Sequence, residues 1–142
     1  MDEQEARRRF AEGRVARMAT VGSDGAPHLV PIVFAVDGDE ILSIVDAKPK
    51  GTRALKRLRN LAANPHVSLL VDEYVEDWER LWWVRADGTG RVEEEGSTRD
   101  RAIELLWAKY EQYRTAWNEP VGAAVVIHVD RWRWWSLAGP QG

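Results

Sequence analysis

The chain contains no cysteine. Disulfides, thiolate-held metals and cysteine nucleophiles are therefore excluded, and the composition suits a reducing compartment. Long apolar runs are also missing. The opening stretch, 1–20, is charged and amphipathic, so neither a signal peptide nor a membrane span is expected, and the reading is a soluble cytoplasmic protein without a membrane partner. Histidine is scarce. His28, His66 and His128 fall on separate predicted strands and lack metal-ligand spacing, so no metal site is expected. There is no GxGxxG fingerprint, no GxxxxGK[ST] loop and no GxSxG elbow. These absences speak against nucleotidyl transfer and serine hydrolysis. They leave open cofactor-dependent redox chemistry, in which the protein mainly holds and tunes a cofactor. Nor is there an excess of positive charge. The formal net charge is −3, which argues against a nucleic-acid partner.

What is present is an ordinary globular balance, with 44% hydrophobic and 30% charged residues over 142 positions, enough for one domain spanning 1–142. Eight tryptophans stand out. Each carries a large apolar area and one donor, which suits cores, interfaces and ring-stacking sites. An N-terminal helix is expected up to residue 13, with Ala6, Phe10 and Ala11 as its apolar stripe and Gly13 as its stop. Strands are expected at 14–21, 28–36 and 40–45, joined by the turn clusters at 22–25 and 37–39. Pro31 marks an edge, a bulge or an end of pairing, because it cannot donate to a ladder. A helix is expected at 53–63, stopped by Asn64-Pro65, then a strand at 66–72. Two strands, 81–86 and 90–95, are read as a hairpin turned by Asp87-Gly88-Thr89. A helix at 99–115, capped by Ser97 or Thr98, precedes final strand segments at 123–129 and 131–135 and a frayed tail at 138–142. A meander without β-α-β alternation predicts a mainly β (α+β) fold, an antiparallel barrel with peripheral helices.

Three sequence blocks line up in order: ATVGSDGAPHLVPI at 19–32, RLRNLAANPHVSL at 57–69, and GTGRV at 88–92 followed, past a helix, by a tryptophan-rich last strand. Together they resemble the pyridoxamine 5'-phosphate oxidase-like split β-barrels, and more narrowly the flavin/deazaflavin oxidoreductases that use coenzyme F420. The resemblance covers roughly 10–137. It implies a split β-barrel of the FMN-binding type, a homodimer with its cofactor at the interface, and hydride transfer to a small organic substrate. The cofactor phosphate would sit against the segment 48–57, which holds Lys48, Lys50, Arg53, Lys56 and Arg57 and no acid. Plain chemistry agrees, since cations opening a helix add to the anion preference of its N-terminal amides.

The resemblance also places the ring along Val30, Pro31, Ile32 and Val33, with Val45 and Asp46 beside it, Asn60 on the following helix, and Trp78 reaching the opposite subunit's cofactor. Pyridoxamine 5'-phosphate oxidases carry a basic residue at each end of the second-strand motif, where this chain has Val30 and Ala35. That departure directs the expectation away from the oxidase itself and toward the F420 branch. FMN is the alternative cofactor. A non-catalytic flavin- or haem-binding barrel is the alternative class, with His28, His66 or His128 as axial candidates. No residue stands out as a general acid, so no catalytic side chain is assigned.

Overall fold

The fold is taken from a computed structural model, which describes residues 1–45, 52–115, 122–137 and 142, with the backbone alone for 52–55. The elements in chain order are α1 (Glu3–Glu12), β1 (Ala16–Val21), β2 (Pro27–Ile32), β3 (Ala35–Asp37), β4 (Glu40–Ile44), α2 (Thr52–Ala63), β5 (His66–Glu73), β6 (Trp82–Glu93), α3 (Ser97–Lys109), α4 (Glu111–Thr115) and β7 (Ala124–Ser136). A single 3-10 turn, Trp78–Arg80, lies between β5 and β6.

The strands form one seven-stranded antiparallel sheet in the order β2-β1-β5-β6-β7-β4-β3. Ile32 near one edge and Phe34, Ile41 and Val45 near the other share a single core with Met18, Leu69, Val84 and Ile127. Two distant edges can share a core only if the sheet curls around it. The edge strands β2 and β3 do not pair with each other, so the barrel is split rather than closed.

Alternation decides which side chains turn inward. On β1 these are Ala16, Met18 and Thr20, and on β5 they are Val67, Leu69 and Val71. Helix α1 lies across the barrel with Ala6 and Phe10 buried, and the Phe10 ring meets Trp132 edge-on at 5.2 Å. Asp2 caps α1 by accepting from the Glu5 amide at 2.8 Å. Helix α2 is tied to β1 by the Asn60 side-chain amide, which donates to Thr20 Oγ1 at 3.1 Å. Helix α3 buries Ala102, Leu106 and the following Tyr110 against Ala35, Leu42, Ile44, Ala124 and Val126.

Three expectations are corrected. The strand expected at 28–36 is two strands, because the chain leaves β1 after Ile32 and crosses to pair with β4. The hairpin expected at 87–89 is absent, and β6 runs unbroken from Trp82 to Glu93 with a bulge at Asp87/Gly88. Gly88 is required there for space rather than for a turn: a Cβ on it would lie 1.9 Å from the His128 carbonyl oxygen. The helix expected at 99–115 breaks at Tyr110, whose hydroxyl donates to the carbonyls of Arg14 at 2.9 Å and Phe34 at 3.1 Å. Its N-cap is Gly96 at φ 102°, not a side-chain cap. Of the tail, 138–141 lie outside the described residues, while Gly142 exchanges backbone hydrogen bonds with Trp134 at 2.8 and 3.2 Å.

Candidate functional site

The outer surface of the sheet is not uniform. Over β3, β4 and the first half of β7 it is covered by α3. Over β2, β1, β5, β6 and the second half of β7 no described element covers it. The strand registers fix three rows of side chains there. One row runs Leu29, Ala19, Ser68, Asp87, Arg131. The next runs Pro31, Arg17, Leu70, Arg85, Arg133. The third holds Asp72, Trp83 and Trp135. Leu29 is 65% exposed, and Leu70, Trp83 and Trp135 are half-buried. Together with Ala19, Tyr74, Leu81 and Trp82 they line a groove of about 520 Å³. That size and apolar lining match a small-molecule site.

Charges hold this surface in register. Asp87 accepts from Ser68 Oγ at 2.7 Å, from Arg85 Nε at 2.9 Å and Nη2 at 3.1 Å, and from Arg131 Nη2 at 3.4 Å. Burial opposes its ionisation, but the donors from Arg85 and Ser68 outweigh that and lower its pKa. Arg17 lies 3.6 Å from Asp72.

The second cluster of interest is on α2. Lys56 is exposed and Arg57 is half-buried. Arg57 Nε is shielded from solvent and has no hydrogen-bond partner among the described residues. Burial pulls the guanidinium's pKa down. A half-buried cation without a carboxylate is costly unless an anion joins it. The first turn of α2 contains no acid to compete. Arg57 therefore fits a phosphate or another anion.

The residues expected to bind cofactor divide as follows. Val30 and Ile32 turn into the barrel, where Ile32 is buried and Val30 packs on the core. Pro31 turns outward and is exposed. Val33 packs beneath α3, and its carbonyl accepts from Ser43 Oγ at 2.9 Å. Val45 is buried in the main core. Asn60 is buried and engaged with Thr20. Asp46, Lys48 and Lys50 lie outside the described residues. Trp78 is 63% exposed on the β5–β6 connection, with Nε1 donating to Tyr74 Oη at 3.4 Å.

What the sequence reading missed is the outward set: Leu29, Leu70, Trp83 and Trp135. A signal for it existed. Adjacent tryptophans on a strand, as in Trp82-Trp83 and Trp134-Trp135, cannot both face the core. The same holds for Leu69-Leu70.

Comparison with known proteins places this geometry. One relative is the 5a,11a-dehydrotetracycline/5a,11a-dehydrooxytetracycline reductase of Streptomyces rimosus subsp. rimosus, 35% identical over 57 residues, 40% of this chain and 39% of the reductase. The match thus spans about two fifths of that protein. Among solved structures, a conserved hypothetical protein from Mycobacterium tuberculosis superposes with a TM-score of 0.76 at 26% identity, covering 100% of this chain and 91% of the other. A heme-binding protein from Mycobacterium smegmatis shares the fold, with a TM-score of 0.75 at 20% identity, covering 97% of this chain and 55% of the other. The family model for pyridoxamine 5'-phosphate oxidase matches residues 2–136, so β1 through β7 and the helices between them all fall inside it. The split barrel with its open outer face is that of a member of the pyridoxamine 5'-phosphate oxidase family, and to that family this chain belongs.

Proposed function

We propose that two copies of this chain clasp coenzyme F420 between them and act as an oxidoreductase on a small organic molecule, with FMN as the alternative cofactor. The observation that carries the reading is half-buried Arg57 of α2, whose Nε has no hydrogen-bond partner among the described residues, beside a first turn that holds no acid, in a molecule with one half of its outer sheet face covered by no described element. The reductase relative from Streptomyces rimosus points to the same class of chemistry.

In this reading the Arg57 guanidinium holds the cofactor phosphate, joined by Lys56 and by Lys48 and Lys50 of the preceding segment, while Val45 and Asp46 belong beside the ring. Bound deazaflavin supplies a two-electron hydride carrier. The chain contributes binding, orientation and exclusion of water. Leu29 and Pro31 of β2 present the apolar wall, and Trp78, too exposed for a tryptophan at rest, closes over the partner subunit's cleft. Asp87 is held ionised and is not a proton source, so the proton comes from solvent.

The test is a titration of the purified protein with F420 and FMN side by side, repeated on Arg57→Glu. The expected result is tighter binding of F420, a loss of at least tenfold in Arg57→Glu, and an unchanged unfolding midpoint. Loss of binding and of stability together overturns the phosphate assignment. A yellow protein on purification selects FMN. Sedimentation that shows a single chain at micromolar concentration overturns the two-copy cleft.

One observation favours a second reading, haem capture. His66 and His128 sit on one outer row on either side of Thr89, and both are exposed. A hemin titration that gives a Soret band lost in His128→Ala selects it over the oxidoreductase.

A further inference from the structure

We infer that the buried Asn60–Thr20 pair is a positioning device: it fixes the rotation of α2 about its own axis and so aims Arg57 at the anion that this helix receives. This rests on the proposed function, in which Arg57 holds the cofactor phosphate, and adds the two residues that set that cation in place.

The seat of α2 lies in its second half. Asn60 and Leu61 are both buried, and Leu61 belongs to the main core. Leu61 sits over Gly90 of β6, where a Cβ would lie 2.9 Å from its Cδ2. The Gly90 amide donates to the Pro65 carbonyl at 2.8 Å, which anchors the chain just past the helix. These two contacts set how close α2 comes to the barrel. Neither sets its rotation, because apolar contact has no direction and Pro65 lies beyond the last helical residue. The Asn60 side chain supplies the direction. Its Nδ2 donates to Thr20 Oγ1 of β1 at 3.1 Å, with Thr20 1% and Asn60 6% exposed. Its Oδ1 lies beside Gly22, at the start of the β1–β2 turn.

The place of Arg57 follows from that seat. It stands one turn before Asn60 and Leu61, and about 100° of rotation per residue puts it roughly 60° from the first and roughly 40° from the second, in the angle between them. Lys56 and Arg59 fall outside that angle and are exposed, whereas Arg57 is half-buried with its Nε shielded. A modest rotation of the helix would carry Arg57 out to solvent beside its neighbours. The chemistry of the pair suits this task better than it suits stability. A buried hydrogen bond adds little over two apolar groups of the same shape, but it is directional where they are not. Valine and leucine at these positions would fill the space and leave the rotation of α2 unspecified.

The experiment is a set of binding titrations on the full chain: F420 against the same deazaflavin without its phosphate-bearing tail, FMN against riboflavin, and pyrophosphate alone. The readouts are the phosphate preference, which is the affinity ratio within each pair, the pyrophosphate affinity, and the urea midpoint. Thr20→Val keeps the side chain's shape and removes the acceptor. It should lower the phosphate preference and the pyrophosphate affinity about fivefold, the worth of one hydrogen bond as an equilibrium ratio. Thr20→Ser keeps a hydroxyl and should keep the preference. Thr20→Val combined with Asn60→Leu should bring the urea midpoint back toward that of the unaltered chain while the preference stays low, a split that a merely structural role would not produce. In an Arg57→Gln background Thr20→Val should take nothing further from the preference, because the pair acts through Arg57. Leu106→Ala, in the separate core under α3, should lower the midpoint and leave the preference alone. An unchanged preference in Thr20→Val, or losses from Thr20→Val and Arg57→Gln that multiply, overturns the inference. Should Thr20→Val alone fail to fold, the combined replacement is read in the same way. Pyrophosphate binding that depends on Arg57 and on the pair, with neither F420 nor FMN bound, removes the proposed function and leaves the positioning pair standing. F420 binding whose phosphate preference ignores Thr20 does the reverse, and no binding of any probe removes both.

Discussion

The two halves of the outer sheet surface are built from the same strands and solve opposite problems. Over β4 and the start of β7, Leu42, Ile44, Ala124 and Val126 are sealed by Ala102, Leu106 and Tyr110 of the α3 region. Over β2, β1, β5 and β6, no described residues cover Leu29, Leu70, Trp83 and Trp135 in this way, and arginine–aspartate pairs are woven between them. The sealed half is stabilised mainly by apolar burial, which ionic screening does not weaken. The open half carries ion pairs between its apolar side chains and keeps its apolar area for something that arrives later. Apolar area buried within the chain supports the fold, whereas apolar area left on the surface supports recognition.

The largest effect should come from the sealed half. Leu106 is fully buried on the sheet-facing side of α3, and Leu106→Ala should cost about 2–5 kcal/mol in urea unfolding, from lost transfer energy plus the cavity left behind. A cost below about 1 kcal/mol would mean that α3 packs loosely and that the two halves differ less than their burial indicates.

A smaller effect separates the halves by pH. At the rim of the sealed half, Lys109 Nζ donates to the carbonyls of Ala11 at 2.9 Å and Phe34 at 3.0 Å and lies 3.9 Å from the Phe34 ring centre. Burial, reinforced by the Arg14 charge, brings its pKa down to about 8. Its folded value lies below its unfolded one, so the penalty for charging it in the fold is present below pH 8 and fades as pH rises toward 10. Stability should therefore rise between pH 8 and 10, by about 1 kcal/mol after allowing for partial exposure. Burial raises the pKa of neighbouring Tyr110, whose unfolded form ionises first, and this reverses the trend above about pH 10. In Lys109→Met the rise should disappear, as urea midpoints at pH 8.0 and 9.5 would reveal. The open half should respond at the other end. The pKa of Asp87 is lowered by its arginine and serine partners, so its contribution is present at neutral pH and lost as pH falls below the ordinary aspartate range. Asp87→Asn should flatten the acid limb of the stability curve by less than about 1 kcal/mol. An unchanged acid limb would show that the clamp on Arg85 is not maintained in solution.

How much of this contrast is legible in the sequence depends on how local its causes are. The Ala6 and Phe10 stripe with its Gly13 stop, and the Asn64-Pro65 stop before the strand at 66–72, involve neighbours along the chain, and they read correctly as α1 and β5. The Asp87-Gly88-Thr89 turn reads wrongly because the reason for Gly88 is the carbonyl of His128, forty residues away on β7. Breaks at Val33-Phe34 and at Tyr110 have the same origin. The Phe34 amide and carbonyl both meet the Tyr110 hydroxyl, and neither segment announces the other. The site divides in the same way. A basic, acid-free stretch around Arg57 is visible as composition, but its burial is not. The rows that place Arg17, Arg85 and Arg133 beside Trp83 and Trp135 exist only once four strands are in register, and a one-residue slip would turn every one of them inward.

The smallest effect on stability should come from the open half, and there it carries the most information. Leu29 stands on the edge strand β2, opposite Ala19 of β1, with most of its side chain in solvent. Leu29→Asp removes little buried area from a single copy, so the unfolding free energy extrapolated to infinite dilution should change by less than about 0.5 kcal/mol. Association is another matter. If a second copy covers this face, a carboxylate set among Ala19, Leu70 and Pro31 must be desolvated whenever the copies meet, and the neighbouring Arg17 is already 3.6 Å from Asp72. The dissociation constant of the pair, measured by sedimentation, should then rise by at least about tenfold. Unchanged association would show that the copies meet elsewhere, and the exposed leucine would then belong to the ligand groove alone. A large loss of monomer stability would erase the comparison, because the open half would be supporting the fold in the same way as the sealed one.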